Sequence, residues 1–158
     1  MSYEEDIKQK LVNKFAYLEA NARIPRQRRI FLEVAYKDFI EVFEYLVKEL
    51  QFSHLCTITG LDEQDRLGFI YHLSQDSGVL LNLKTSVSKE NPVLRTVISY
   101  FPGAEIYERE LVDLLGARVE GLPAGNRYPL TDDWPQDQFP LRKDWKPQAN
   151  NSEVNKNA

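Results

Sequence analysis

The chain has 158 residues, of which 42% are hydrophobic and 28% are charged, and its formal net charge is −4. This length is enough for one domain with a hydrophobic core, and the composition excludes a disordered chain. The longest apolar runs, such as residues 79–81, are far shorter than the roughly 20 residues that cross a bilayer. The acidic residues 4–6 lack the pattern of a secretory leader, which predicts a cytosolic chain.

An amphipathic helix and a basic turn are predicted at the start of the chain. Ser2 and Glu5 have the spacing of a capping box, and apolar residues recur at helical intervals up to Leu18. Pro25 then interrupts the pattern, which favours a turn. The turn carries four basic residues: Arg23, Arg26, Arg28 and Arg29.

A strand, a second helix and three further strands follow. Residues 30–35 form a β-type run, and Asp38 or Glu41 can cap an amphipathic helix that ends near residue 50. Apolar residues then alternate in three short segments separated by polar turns. We predict an antiparallel meander from these segments: residues 55–61, 67–73 and 79–83.

Two more helices complete the predicted core. Asn91 and Pro92 are typical of a helix start, and apolar residues continue to Phe101. A further helix is predicted over residues 105–115, with Gly116 as its terminating residue. The element order predicts an α+β fold, with helices packed on a mainly antiparallel sheet and a core domain at residues 1–116.

Residues 117–147, which we call the C-terminal segment, have a different composition. They contain five of the chain's eight prolines, and proline removes a backbone donor, so we expect neither a long helix nor a sheet strand here. We interpret the segment as an extended docking arm, or alternatively as a wrap over the chain's own sheet, followed by a flexible tail at residues 148–158. Its large apolar residues are unlike those of a disordered linker: Tyr128, Trp134, Phe139, Leu141 and Trp145.

Residue types that usually hold cofactors are scarce. Cys56 is the single cysteine, and His54 and His72 are the two histidines, so a disulfide within the chain or a cysteine-rich metal site is excluded. The seven glycines form neither a dinucleotide motif nor a P-loop. We therefore expect no cofactor and no metal, and we expect Cys56 to be a buried small apolar residue.

Two motifs resemble those of one protein family. Residues 108–116, Glu-Arg-Glu-Leu-Val-Asp-Leu-Leu-Gly, are similar to its signature of Glu-Arg-Glu, two variable positions, an acid and two apolar residues. Residues 140–144, Pro-Leu-Arg-Lys-Asp, are similar to a block near the end of the family's core. The chain thus resembles the thirty-kilodalton subunit of respiratory Complex I and its counterpart in membrane-bound nickel–iron hydrogenases.

The resemblance implies a cofactor-free structural subunit without a catalytic site of its own. Its expected place is the peripheral arm of the complex, on the cytoplasmic side of the cell membrane, which it would meet only through the complex. Its expected partners are the large subunit that forms the quinone or nickel–iron site and the iron–sulfur subunits. Both parent complexes stay open: a quinone oxidoreductase fed by NADH or ferredoxin, and an energy-converting membrane-bound hydrogenase.

The predicted helix over residues 105–115, which carries the first motif and which we call the signature helix, has a net charge of −3, because Arg109 is the one cation among four acids. Asp113 lies near the unfavourable, negative end of the helix dipole, so we expect compensation from Arg118, Arg127, Arg142 or Lys143. We hypothesise that these ion pairs fold the C-terminal segment onto the helix and turn its aromatic residues toward the large subunit. The expected interface residues are Glu108, Arg109, Glu110, Asp113, Arg127, Trp134, Pro140, Leu141, Arg142, Lys143, Asp144 and Trp145.

Two other functions are compatible with parts of the sequence. Glu108 and Asp113 could act as general acid and base in a small carboxylate-dependent enzyme, although no nucleophile or metal motif accompanies them. Residues 66–71 weakly resemble an RNA-recognition strand, in which Phe69 and Tyr71 would stack on bases. The acidic charge balance opposes nucleic-acid binding, and we expect these two rings in the sheet core instead.

Overall fold

The computed structural model describes residues 2–147, which form an α+β fold. The predicted tail at residues 148–158 lies outside this range. Helices in the described chain are α1 (Tyr3–Lys14), α2 (Tyr36–Lys48) and α3 (Ala104–Leu115), with a short 3-10 helix at Ala16–Leu18. The strands are β1 (Ala22–Arg26), β2 (Arg29–Glu33), β3 (His54–Asp62), β4 (Arg66–Ser74), β5 (Leu80–Ser88), β6 (Val93–Arg95) and β7 (Arg118–Glu120).

Five of these strands form one sheet in the order β1-β2-β5-β4-β3. The pairs β1–β2, β4–β5 and β3–β4 are antiparallel, and β2–β5 is parallel. Strands β2 and β5 can pair in parallel because α2 connects β2, which lies beside β5, to β3 at the opposite edge of the sheet. The predicted meander and the mainly antiparallel sheet are therefore confirmed.

One face of the sheet holds the hydrophobic core. Along β4 and β5 the odd-numbered residues are buried, and the even-numbered ones within the strands, apart from Gly68, are mostly half-buried. Helix α2 packs on the buried face, where the Phe39 ring lies 4.7 Å from the Tyr71 ring. Phe69 and Tyr71 are thus in the core, as expected, and they offer no stacking platform for bases.

The observed helix caps agree only in part with the caps predicted from the sequence. At α1 the Ser2 hydroxyl accepts from the Glu5 backbone N–H, while the Glu5 carboxylate accepts from the Ser2 N–H, so the predicted capping box is confirmed. The helix predicted here is present as α2, but its predicted cap is wrong. Its first flanking residue is Ala35, which makes no side-chain cap, and Asp38 lies within the first turn.

The predicted helix after Pro92 is wrong. Residues 93–95 form strand β6, which pairs in parallel with β7 at Arg118–Glu120, and irregular turns follow it. A β-branched valine and a partner strand from a distant segment outweigh the local helix signal. Strand β7 also shows that the proline-rich composition leaves room for one short strand in the C-terminal segment.

The predicted basic turn is also wrong, because most of it belongs to a hairpin. Arg23 and Arg26 lie in β1, Arg29 opens β2, and Arg28 has a positive φ of 58° in the connecting turn. Pro25 is tolerated because β1 is an edge strand, where a missing N–H faces away from the sheet.

Among residues 2–147 there is no helix long and apolar enough to span a membrane.

Gly60 allows α3 to approach the sheet. A Cβ atom added at Gly60 would lie 2.3 Å from Cδ1 of Leu115 and 2.7 Å from Cδ2 of Leu111. Both leucines are buried, so they have little room to move away.

We expect Gly60→Ala to lower the free energy of unfolding by about 1–3 kcal/mol through overpacking. Gly103→Ala is the matched control, since its added Cβ would have no neighbour within 4 Å. Urea denaturation of the two variants tests this. Equal stability of Gly60→Ala and the natural chain would contradict the close helix–sheet contact.

Candidate functional site: the junction of helix α3 with the C-terminal segment

The signature residues lie on α3, whose ends are set by glycines. Gly103 precedes the helix, and Gly116 ends it in the left-handed conformation, with φ of 70°. The helix packs across β3, and the Tyr107 hydroxyl donates to the backbone carbonyl of Cys56 on that strand, at 3.0 Å. The predicted helix and its glycine terminus are confirmed, and packing and this hydrogen bond hold α3 on the sheet.

Glu108, one of the expected interface residues, is buried. It is 1% exposed, and its carboxylate accepts from the Thr96 hydroxyl at 2.5 Å and from the Val97 N–H at 2.7 Å. Burial raises the pKa of Glu108, and these two hydrogen bonds oppose the rise. The residue therefore ties α3 to the turn that follows β6.

Asp113 receives the expected cation, and the cation is Arg127. The Nε of Arg127 donates to Oδ1 of Asp113 at 3.2 Å, and its Nη1 donates to the carbonyl of Trp134. The backbone N–H of Leu130 donates to the second Asp113 oxygen at 3.2 Å. Asp113 is buried, so one carboxylate holds two points of the C-terminal segment against α3.

Among residues 2–147 Arg142 binds no carboxylate, which corrects one suggested pairing. Its Nε donates to the carbonyl of Leu115 at 2.7 Å, and its guanidinium lies 4.7 Å from the centre of the Phe139 ring. The backbone N–H of Leu141 donates to the carbonyl of Leu114 at 3.0 Å. These donors satisfy carbonyls that the end of α3 leaves free, and a cation there suits the helix dipole.

Two other cations suggested as partners lie elsewhere. Arg118 donates to the side chain of Asn91, and Lys143 donates its backbone N–H to Asp62.

Arg109 holds a separate part of the C-terminal segment. It forms an ion pair with Glu105 at 2.7 Å and donates to the carbonyl of Pro123 at 2.9 Å.

Asp62 is a junction residue that the sequence reasoning missed. It lies at the end of β3 and accepts from Lys89 at 2.7 Å, from the Lys143 N–H at 2.8 Å and from the Gln64 N–H at 2.8 Å. Lys89 also pairs with Asp144 at 2.8 Å. The polar turn after a strand and the acid of the Pro-Leu-Arg-Lys-Asp block were visible in the sequence, but their proximity was not.

The pKa of Asp62 reflects this position. Burial alone would raise it, but the hydrogen bonds from Lys89, Lys143 and Gln64 outweigh burial and lower the pKa to about 2. The pKa of Lys89 is raised by its hydrogen bonds to Asp144 and Asp62. Both groups are therefore charged near neutral pH.

The two tryptophans of the segment pack on each other. The ring centres of Trp134 and Trp145 are 5.9 Å apart, and both indole N–H groups donate to Gln138. Both rings are half-buried, as is Pro140. Tyr128 and Leu141 are more open, at 47% and 53% exposed. The segment thus forms a folded cover on α3 with apolar groups on its outer side.

The remaining candidates do not converge on this junction. Glu110 is half-buried on α3. His72 bridges the Thr59 hydroxyl and the Asn82 side chain on the other face of the sheet, and Cys56 is only half-buried, beside Ser74. Within the described range, no group of three or more His, Cys, Asp or Glu residues could hold a metal ion.

The fold and this junction define a small α+β domain whose signature helix is covered by the chain's own C-terminal segment. Residues 32–151 match the family described as respiratory-chain NADH dehydrogenase, 30 Kd subunit. The chain belongs to this family, as its two motifs indicated.

Two curated relatives match over most of the chain. A subunit of the F(420)H(2) dehydrogenase of Methanosarcina mazei is 36% identical over 86% of this chain and 87% of its own length. The membrane-bound hydrogenase subunit beta of Pyrococcus furiosus is 28% identical, over 92% and 88%. Both names are those of oxidoreductase subunits.

A solved structure has the same fold. It is a chain of the membrane-bound sulfane sulfur reductase, described as an archaeal respiratory membrane complex. The TM-score is 0.78 with 25% sequence identity, and the match covers 92% of this chain and 86% of the other.

Asp113 and Arg127 provide a direct test of the junction. In a double-mutant cycle with Asp113→Asn and Arg127→Gln, we expect a coupling energy of about 1–2 kcal/mol, because the pair is partly buried and hydrogen-bonded. The same cycle with Arg142→Gln in place of Arg127→Gln is the control, and its coupling should stay within about 0.5 kcal/mol. Chemical denaturation supplies the free energies. The reverse order of the two couplings would contradict the observed pairing.

The lowered pKa of Asp62 predicts that the free energy of unfolding depends on pH in the acidic range. We expect Asp62→Asn to lower the free energy of unfolding by about 2 kcal/mol at pH 7, since hydrogen bonds to a charged group are lost. A lowered carboxyl pKa stabilises the fold above the ordinary carboxyl value, and this stabilisation is lost as pH falls toward about 2.

Denaturation of both chains from pH 7 down to pH 3 measures this difference, which should shrink as the pH falls. The exposed neighbour Asp65 gives the control variant Asp65→Asn, which should change the stability by less than about 0.5 kcal/mol. A difference between Asp62→Asn and the natural chain that does not change with pH would argue against an ionised Asp62 at the junction.

Proposed function

We propose that this chain is a structural subunit of a membrane-associated oxidoreductase complex related to Complex I, in the place that the thirty-kilodalton subunit takes there. The observation that carries the proposal is the match over nearly the whole chain to subunits of such complexes. In this proposal the chain lies in the peripheral arm, on the cytoplasmic side, and carries no cofactor. It contacts the large subunit of the quinone or nickel–iron site and the iron–sulfur subunits.

The relatives favour one group of parent complexes. The two curated relatives described above, which are covered over 87% and 88% of their own length, are named for an F(420)H(2) dehydrogenase and a membrane-bound hydrogenase, and the solved relative is part of a sulfane sulfur reductase. Of the two parent complexes left open, we therefore propose one of this group, in preference to one that takes electrons from NADH.

The junction supports a structural role for the acids of α3. Both oxygens of Glu108 and both oxygens of Asp113 accept hydrogen bonds from the chain itself. A general acid or base needs an oxygen within reach of a substrate, whereas these oxygens are occupied by donors of the fold. We assign Asp113 to holding the C-terminal segment on α3, and Glu108 to holding α3 against the turn that follows β6.

The outer side of the C-terminal segment is the proposed docking surface for the large subunit. Leu141 lies within the Pro-Leu-Arg-Lys-Asp block and is anchored through its backbone N–H, yet its side chain is 53% exposed. Tyr128 is also exposed, and the Trp134–Trp145 pair lies in the same segment. Tyrosine and tryptophan are enriched among the central residues of protein interfaces.

Affinity purification of the tagged full-length chain from its own host, at native abundance, tests this function. We expect a large subunit and iron–sulfur subunits to co-purify. Leu141→Arg should reduce their recovery about tenfold or more, because it places a charge in an apolar interface. Tyr17→Arg is the control, since Tyr17 is 48% exposed on the 3-10 helix, outside the C-terminal segment.

The melting temperature of each variant separates lost docking from lost folding. Recovery of the chain without other subunits would contradict the proposed function. Full recovery with Leu141→Arg would contradict the proposed docking surface but leave the family's structural role in place.

A further inference from the structure

The face of the five-stranded sheet opposite the core is not covered by α1, α2 or α3. Residues directly paired across neighbouring strands lie on the same face. Register therefore places one row on this open face, across all five strands: Thr57, His72, Asn82, Phe31 and Arg23. The first four residues of this row are half-buried, and Arg23 is exposed.

A basic patch lies at one edge of this open face. Arg26 pairs with Arg29 across the β1–β2 hairpin, and Arg23 pairs with Phe31, so three arginines belong to the open face. The guanidinium of Arg23 lies 5.0 Å from the centre of the Phe31 ring. Arg28 occupies the turn between the strands. We call Arg23, Arg26, Arg28 and Arg29 the hairpin arginines.

The guanidinium groups of the hairpin arginines form no ion pair with an acid among residues 2–147. Each ion pair in this part of the chain involves other cations: Lys10, Lys48, Lys84, Lys89, Arg109 and Arg127. Arg28 binds the Glu4 carboxylate through its backbone N–H, which leaves its side chain unpaired. A local cluster of unpaired cations on a chain of net charge −4 is a marked charge asymmetry.

We propose that the hairpin arginines and the adjoining open face bind an acidic segment of a neighbouring protein subunit. This inference rests on the proposed function, which supplies protein neighbours. Planar guanidinium groups match carboxylates with two parallel hydrogen bonds, and Phe31 offers an apolar contact beside them.

The acidic segment lies on the face of the sheet and does not extend it. Pro25 in the edge strand β1 has no N–H to donate, and Arg23 and Arg26 flank it, which blocks the addition of another strand. The net negative charge of the chain disfavours two other polyanions, an anionic membrane and RNA, because each requires a broad basic field.

Photo-cross-linking in the assembled complex tests the proposal. Gln27, exposed in the hairpin turn, is replaced by p-benzoylphenylalanine in the tagged full-length chain, and cross-linked peptides are identified by mass spectrometry. We expect a cross-link to a peptide of another subunit that is rich in Asp and Glu. The yield should fall about tenfold with Arg23→Gln and Arg26→Gln combined, since charge-assisted hydrogen bonds are removed.

The control carries Lys14→Gln and Lys37→Gln, which remove the same charge from exposed positions on α1 and α2, and its yield should be unchanged. A complex that assembles without this cross-link, or with a cross-link to a non-acidic peptide, overturns the docking surface alone. A chain that enters no complex overturns the proposed function as well.

Two binding measurements on the purified chain address the other polyanions. Sedimentation with vesicles of phosphatidylglycerol and phosphatidylcholine measures membrane binding, and a single-stranded RNA oligonucleotide is titrated at physiological salt. We expect no binding in either case. Binding that is lost with Arg23→Gln and Arg26→Gln would assign the patch to a lipid surface or to RNA and overturn the proposal.

Discussion

The organisation of this protein depends on buried carboxylates that accept hydrogen bonds from distant parts of the chain. Asp113 on α3 binds Arg127 and the backbone of Leu130, and Asp62 at the end of β3 binds Lys89 and the backbone of Lys143. A buried charge is costly unless it is paired and hydrogen-bonded, so each acid determines where its partners must lie. The path of the C-terminal segment follows from these requirements.

This arrangement suits a subunit whose role is to present a surface. Glu108 and Asp113 on α3 accept hydrogen bonds from the chain itself, whereas Tyr128 and Leu141 of the C-terminal segment remain exposed. A preformed surface loses little conformational entropy when a partner binds, which favours assembly. The open sheet face, with its unpaired arginines, offers a second surface of different chemistry on the same rigid domain.

Local signals predicted those elements whose stability depends mainly on nearby residues. The capping box of Ser2 and Glu5, the period-two alternation of β4 and the helix ended by Gly116 are all confirmed. The helix predicted after Pro92 is wrong, because the competing partner, β7, lies more than 20 residues further along the chain. The partner of Asp113 was among four suggested cations, and sequence spacing could not distinguish between them.

By itself, the amino-acid sequence determined the α+β class, the core face of the sheet and the family. Periodicity reports which side of an element is apolar, and motifs report identity of residue type and order. Only the tertiary structure decided that Glu108 and Asp113 are buried, that Asp62 belongs to the same junction, and that the arginines near Pro25 share one sheet face. These facts depend on strand register and on contacts between distant residues, which local sequence patterns do not encode.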